Sequence, residues 1–139
     1  MTDPIQLKRI YDPVEDEDGM RILVDRIWPR GVRKAHARLD WWARELAPST
    51  ELRKWFGHDP ERWAEFRRSY RDELAQAPEG LSKLLDYCRQ GTVTLVFGAR
   101  DRKHNQAVAL REVLLEERKE EEAPGESASP VCYNDDFPR

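Results

Sequence analysis

Thr92-Val-Thr-Leu-Val-Phe97 decides the fold, because it is a short run of β-branched and aromatic residues enclosed by two glycines. A second run of this kind, Arg21-Ile-Leu-Val-Asp25, ends just before Trp28-Pro-Arg-Gly31. Proline and glycine break a strand there. Ile5–Ile10 alternates apolar and polar residues, which is the period of a half-buried strand. The sequence therefore predicts three strands.

Apolar residues at helical spacing fill most of the remaining chain. Leu39, Trp42, Ala43 and Leu46 fall at i, i+3, i+4 and i+7 and predict a first helix. The predicted helices cover 38–76 in three pieces separated at Pro48-Ser49 and Gly57-His58-Asp59, then a fourth marked by Leu81–Cys88, and a fifth over 104–118. A strand followed by a helical crossover and another strand favours a parallel pair with a right-handed connection. We therefore expect a small α/β domain of two or three layers.

Charge is distributed unevenly along the 139 residues. Residues 116–139 hold eight acids and three bases, whereas the preceding chain holds 21 bases and 19 acids. We expect 1–118 to form one domain and 119–139 to be an acidic, flexible tail, with a packed return of Pro130–Tyr133 as the alternative. The weakly basic body lacks the concentrated positive face of a duplex DNA binder.

The cysteines and the amino terminus indicate the compartment. Cys88 lies in an amphipathic pattern and Cys132 in the tail, so neither a disulfide framework nor a metal-ligand spacing is present. The amino terminus has no apolar signal region, and no window approaches the length of a membrane span. The sequence predicts a cytoplasmic protein with reduced thiols and no metal or cofactor, and it carries no signal for an oligomeric state.

Two strand exits carry the candidate ligand site. Ligands of open α/β sheets bind outside the carboxyl ends of the strands, and the exits after Asp25 and Phe97 converge if their strands are neighbours. Arg26, Arg30 and Arg100 would then flank a helix amino terminus, a combination that binds phosphate or carboxylate. The sequence thus predicts an anion site at this edge of the sheet.

A purely structural role for these arginines is the alternative. Arg26 would then pair with Asp25, or with Asp40 or Glu45 of the helical segment, and orient the loop. Buried partners for Arg26 and Arg30 would favour this interpretation.

Four further residues complete the candidate set: Trp28, Asp101, His104 and Asn105. Trp28 either stacks on a ring of the ligand or covers the core as a lid. His104 and Asn105 follow Asp101 at a helix start, where they would hydrogen-bond the ligand. His58 precedes an aspartate and either serves acid–base chemistry or belongs to a capping turn.

Four strings carry a family resemblance: Arg21–Gly31, Glu45–Ser49, Leu52–Pro60 and Asp101–Asn105. They closely resemble the short bacterial branch of the family called domain of unknown function 488, over about residues 5–117. The resemblance implies a small Rossmann-like α/β domain with a mainly parallel sheet and about five helices. It implies no particular reaction, because the activity of that family is unsettled.

The chain departs from the family pattern at two places. Other branches carry a cysteine at the end of the last strand and a Cys-His-Arg cluster at the start of the following helix. Those places fall near Phe97 and on Asn105-Gln-Ala107 in this chain. The loop from Asp25 to Arg30 is retained, so the resemblance favours a binding protein, or an enzyme with different machinery, over thiol chemistry.

Three functions remain open at this point. The first is binding of a small anionic ligand (a nucleotide, base or phosphate) at the carboxyl edge of the sheet. The second is a structural or regulatory protein-interaction module without catalytic activity, in which the acidic tail is the contact segment. The third is single-stranded nucleic-acid binding through the arginines and Trp28, which requires a continuous basic groove.

Overall fold

A computed structural model of the chain describes residues 5–122. Its centre is a sheet of four parallel strands in the order β1-β4-β2-β3. The strands are β1 (Ile5–Arg9), β2 (Met20–Leu23), β3 (Trp41–Trp42) and β4 (Val93–Phe97). All five residues of β4 are buried, as expected of a strand flanked on both sides in a covered parallel sheet. The α/β class and the parallel sheet are confirmed, and the arrangement is consistent with a Rossmann-like fold.

Five α-helices surround the sheet. They are α1 (Lys34–Ala37), α2 (Thr50–Phe56), α3 (Trp63–Leu74), α4 (Pro78–Gln90) and α5 (Gln106–Glu122), with single 3-10 turns at Asp16–Asp18, Arg44–Leu46 and Pro60–Arg62. None of the helices between residues 5 and 122 is long and apolar enough to cross a membrane. The predicted strands are confirmed within two residues, as is the helix that corresponds to α2. The helices that correspond to α3 and α4 are also present, but α3 begins at Trp63 and not at Pro60, because Pro60–Arg62 forms a 3-10 turn, and α4 begins at Pro78, three residues before Leu81.

The predicted first helix over residues 38–47 is wrong. Trp41–Trp42 instead forms β3, a short edge strand paired with β2. The backbone N–H of Asp40 donates to Arg21 O at 2.8 Å and that of Ala43 donates to Leu23 O at 2.8 Å. These bonds satisfy the outer carbonyls of β2, which a helix would leave unpaired. A short helix that the sequence did not predict, α1, forms upstream.

The last helix begins and ends later than predicted. α5 starts at Gln106 and continues to Glu122, four residues past the predicted end. Residues 119–122 are lysine and glutamate, which are good helix formers. The predicted flexibility of the tail beyond Glu122, and the alternative return of Pro130–Tyr133, lie outside the described residues.

The two faces of the sheet carry cores of different size. The larger core packs α3, α4 and α5 against one face and contains the predicted stripe of Phe66, Tyr70 and Leu74. The smaller core consists of Ile10, Leu23, Ala37 and Val96 with Trp28, Val32, Leu39 and Trp42 packed against it. Cys88 lies in the larger core, so its predicted burial is confirmed, and this burial raises the pKa of its thiol to about 11.

Gly19 makes the turn that leads into β2, and it offers a test of this packing. Its φ is +63°, and a Cβ on it would lie 2.3 Å from the carbonyl oxygen of Thr92. We expect Gly19→Ala to lower the free energy of unfolding by at least about 2 kcal/mol, because the side chain meets both a strained φ and a backbone clash. Urea denaturation measures this loss.

Gly91→Ala is the matched control. A Cβ at Gly91 meets nothing within 4 Å, and its φ of 167° is extended backbone. Its free energy of unfolding should change by no more than about 0.5 kcal/mol. Equal losses in the two variants would contradict the placement of Gly19 against Thr92.

Candidate ligand site at the carboxyl edge of the sheet

The exits of β2 and β4 lie side by side. Leu23 is in register with Val96, and the backbone N–H of Val24 donates to Val96 O at 3.0 Å. One step further, the backbone N–H of Gly98 donates to Asp25 Oδ2 at 3.0 Å. The convergence of the two exits that the sequence predicted is thus confirmed.

A cavity of about 330 Å³ opens at these strand ends. Its volume lies at the lower end of the range of small-molecule sites in proteins. The lining combines polar and charged residues with apolar ones: Tyr11, Asp25, Arg26, Arg30, Arg53, His58, Asn105 and Gln106, then Ile27, Trp28, Pro29, Pro48, Phe56, Phe66, Gly98 and Ala99. Among the described residues, three arginines and a single acidic residue therefore line one small space.

Asp25 is the carboxyl group in this lining. Its Oδ2 accepts from the backbone N–H of Gly98, and its Oδ1 accepts from the side-chain amide of Gln106. Burial raises the pKa of Asp25 to about 6, although these two hydrogen bonds and the nearby positive charge of Arg53 act in the opposite direction. At neutral pH the group is mostly ionised but is easily protonated.

Arg26 holds the wall of the cavity together. Its Nε donates to Pro48 O at 2.9 Å and its Nη2 donates to Ala47 O at 3.2 Å, which ties the loop after β2 to the segment before α2. The partners are backbone carbonyls and not the carboxylates that the structural alternative named. These two bonds use two of the five guanidinium N–H groups, so three remain for a ligand.

Arg53 and Arg30 approach the cavity from different elements. Arg53 lies on α2, whose start is fixed by the Ser49 hydroxyl accepting from the backbone N–H of Leu52 at 3.1 Å. Arg30 lies at the rim, where its backbone carbonyl accepts from the Tyr11 hydroxyl at 2.9 Å. Both arginine side chains are exposed.

Trp28 is a wall of the cavity that also belongs to the smaller core. Its indole N–H donates to Val32 O at 2.7 Å, and its ring meets that of Trp42 edge-on at 5.2 Å between centroids. This geometry supports the lid interpretation. Stacking on a ligand stays a prediction.

The segment between β4 and α5 supplies the remaining predicted residues. Arg100 and Asp101 line a neighbouring cleft that shares His58, Gly98 and Ala99 with the main cavity. Asn105 is 1% exposed and immediately precedes α5. Its Oδ1 accepts from Val108 N at 3.0 Å, and its Nδ2 donates to Asp101 O at 2.8 Å.

His104 lies in neither lining. Its Nδ1 is 3.0 Å from Asp101 Oδ2, and its ring meets the Trp63 ring edge-on. The structure therefore brings together Arg26, Trp28, Arg30 and Asn105, places Arg100 and Asp101 beside them, and leaves His104 outside.

Sequence reasoning missed several lining residues. Tyr11 follows β1, Arg53 lies on α2, and Gln106 opens α5, so tertiary packing alone brings them together. His58 lines both spaces with a φ of +60° in the turn after α2, while Asp59 caps the next 3-10 turn by accepting from Glu61 N. For Gln106 a signal existed, because it occupies one of the places where the chain departs from the family pattern.

Comparison with known proteins identifies the family. The model of the inactive DUF488-N3 subclade matches residues 4–134. The chain belongs to this family. It is 46% identical over 110 residues to the uncharacterized protein YeaO of Escherichia coli strain K12, an overlap that covers 79% of this chain and 96% of YeaO.

Mycobacterial relatives give the same result. The uncharacterized proteins Mb3100c of Mycobacterium bovis and Rv3073c of Mycobacterium tuberculosis are each 38% identical over 110 residues, or 79% of this chain and 92% of theirs. No solved structure matches the chain significantly. The resemblance drawn from the sequence strings is confirmed.

The buried carboxyl of Asp25 predicts a specific pH dependence of stability. Its pKa of about 6, against an ordinary value of 3.8, means that the folded state binds the proton more tightly between these pH values. The contribution of Asp25 to stability therefore falls as pH rises through this window and is lost above pH 6. Asp25→Asn, which cannot ionise, lacks this dependence.

Urea denaturation of both proteins at pH 4.5 and pH 7.0 measures the effect. The free energy of unfolding of the wild type, minus that of Asp25→Asn, should fall by about 2 kcal/mol between these two pH values. Other carboxyl groups whose pKa is lowered are present in both proteins, so their contributions to the free energy of unfolding cancel in this difference. Parallel pH profiles of the two proteins would show that Asp25 is not buried as described.

Proposed function

We propose that this chain binds a small anionic ligand of the nucleotide, base or phosphate class in the cavity at the carboxyl edge of its sheet. One observation carries the proposal: Arg26, Arg30 and Arg53 line a space of about 330 Å³ whose single carboxyl, Asp25, is already bound to two amides of the chain. The local charge favours an anion, and guanidinium forks bind phosphate or carboxylate in a bidentate manner.

The three arginines contribute to binding in different ways. Over residues 5–118, no carboxylate forms an ion pair with the side chains of Arg30 or Arg53. Their charges are therefore available to a ligand, and their exposure lets them close on it. Arg26 is held by its two carbonyl partners and presents a fixed group that loses little freedom on binding.

The apolar wall and the carboxyl limit the kind of anion. Phe56, Phe66, Pro29 and Pro48 offer flat apolar surface to a ring. Asp25 repels negative charge, so the anionic group of the ligand should face the arginines and a hydrogen-bond donor should face Asp25. A nucleotide has both parts, since its base carries N–H donors and its phosphate the negative charge.

The same lining supports binding without a covalent step. Among residues 5–122, no cysteine, serine or threonine contributes to it, and the side-chain amide of Gln106 donates to the carboxyl group of Asp25. The chain belongs to a subclade described as inactive, which agrees with this proposal. We also propose that the protein is cytoplasmic.

Isothermal titration calorimetry with inorganic phosphate and a panel of nucleoside monophosphates tests the proposal. The wild type should bind at least one of them. Arg30→Gln and Arg53→Gln should each weaken binding about tenfold or more, because a hydrogen bond to a charged group contributes about 1.5–3 kcal/mol. Arg26 is left intact, since it also holds Ala47 and Pro48.

Arg68→Gln is the matched control. Arg68 is exposed on α3 and lies outside the lining, so its loss should leave the affinity unchanged. The proposal fails if no ligand produces heat, or if all four proteins bind equally. The backbone partners of Arg26 would then favour the alternative of a structural or regulatory protein-interaction module.

A further inference from the structure

Residues 26–38, here called the basic segment, hold positive charge without any acid. The segment contains Arg26, Arg30, Arg33, Lys34 and Arg38, together with one histidine. All of these side chains except that of Arg26 are exposed. In a chain that has 27 acids among 139 residues, such a run is a concentrated patch of charge.

Within residues 5–118, no carboxylate neutralises the charges of the basic segment. Elsewhere in the described chain, basic residues pair with carboxylates: Lys8, Arg21, Arg62, Arg67, Arg71, Arg89 and Arg102. No ion pair forms within the basic segment, as far as residues 5–118 show. Within the described residues, the basic side chains of the segment make two kinds of contact: Arg26 donates to two carbonyls, and Lys34 lies over the ring of Trp28, 6.0 Å from its centroid.

The basic segment is continuous with the cavity. Arg26 and Arg30 line the cavity, and Trp28 between them carries Lys34 over its ring. At the other end, Ala37 O accepts from Arg21 Nε at 3.1 Å, next to the start of β2. The segment therefore runs back along β2, whose four residues span roughly 13 Å. A single strand that follows this length brings successive phosphates over the basic segment.

The mouth of the cavity also presents one exposed aromatic ring and one exposed aliphatic side chain. Ile27 is 60% exposed and Tyr11 is 50% exposed, and both line the cavity. Arg9 lies over the Tyr11 ring at 4.8 Å. Aromatic side chains beside a positively charged track are the common elements of single-strand binding surfaces. A base enters a closed cavity only after it leaves its stack, which a single strand allows more readily than a duplex.

We propose that the chain binds single-stranded nucleic acid, with one nucleotide in the cavity and the adjoining phosphates on the basic segment. This inference rests on the proposed function for the nucleotide in the cavity. It extends that function from a free ligand to one unit of a strand.

Fluorescence anisotropy of the full chain with labelled 12-nucleotide single strands of DNA and RNA tests the inference. The single strand should bind at least tenfold more tightly than the corresponding mononucleotide. Replacing Arg33, Lys34 and Arg38 together by glutamine should weaken strand binding at least tenfold and leave mononucleotide binding unchanged. The slope of log affinity against log salt should become shallower by about 2 in this variant, because three phosphate contacts are lost.

A control variant removes the same charge elsewhere. Arg44, Arg68 and Lys83 are exposed and lie outside both the cavity lining and the basic segment. Their joint replacement by glutamine should change strand binding less than twofold. Arg53→Gln should weaken both strand and mononucleotide binding. Tighter binding of either the DNA or the RNA strand supports the inference and identifies the preferred sugar.

The outcomes separate this inference from the proposed function. If mononucleotides bind and the strand binds no more tightly, the inference is overturned and the proposed function stands. If neither binds, both are overturned. Equal binding of a duplex overturns the single-strand assignment, and strand binding unaffected by Arg53→Gln overturns entry of a nucleotide into the cavity.

Discussion

The parallel pairing of β4 with β2 is the constraint on which the candidate site depends. It brings two exits that are more than 70 residues apart in sequence to one edge, where Gly98 N donates to Asp25 Oδ2. A Cβ at Gly98 would lie 2.8 Å from that oxygen, so a larger residue there would displace the carboxyl group of Asp25. Arg26 then attaches the loop after β2 to the segment before α2. These hydrogen bonds fix the relative positions of three wall segments of the cavity: the loop after β2, the segment before α2 and the exit of β4.

The sequence predicted those parts of the site that local pattern determines. Short β-branched runs located the strands, and their neighbouring exits placed Arg26, Arg30 and Asn105. The failed helix shows where local pattern ends, because Leu39 and Trp42 pack in the smaller core while Ala43 and Leu46 pack in the larger one. These four residues have helical spacing in the sequence, but they pack on opposite faces of the sheet and do not form one face of a helix.

Distant residues were missed for a related reason. Tertiary packing alone brings three of the lining residues to the cavity: Tyr11, Arg53 and His58. No sequence spacing predicts that these residues lie together. His104 shows the opposite error, since its position at a helix start suggested a ligand contact, but Asp101 and Trp63 hold its ring. Membership of the inactive subclade and the amide of Gln106 beside Asp25 are consistent with a site that retains an anion without transforming it.

An NMR titration of the isotopically labelled chain with a nucleoside monophosphate tests directly whether the ligand site lies at the carboxyl edge of the sheet. We expect the largest shifts at the backbone amide of Gly98, the side-chain amide of Asn105 and the guanidinium signals of Arg26 and Arg53, because all four residues line the cavity. The backbone amide signals of α4 should not change, because α4 contributes no residue to that lining. Shifts centred on α4, or none at Gly98, would contradict a ligand site at the carboxyl edge of the sheet.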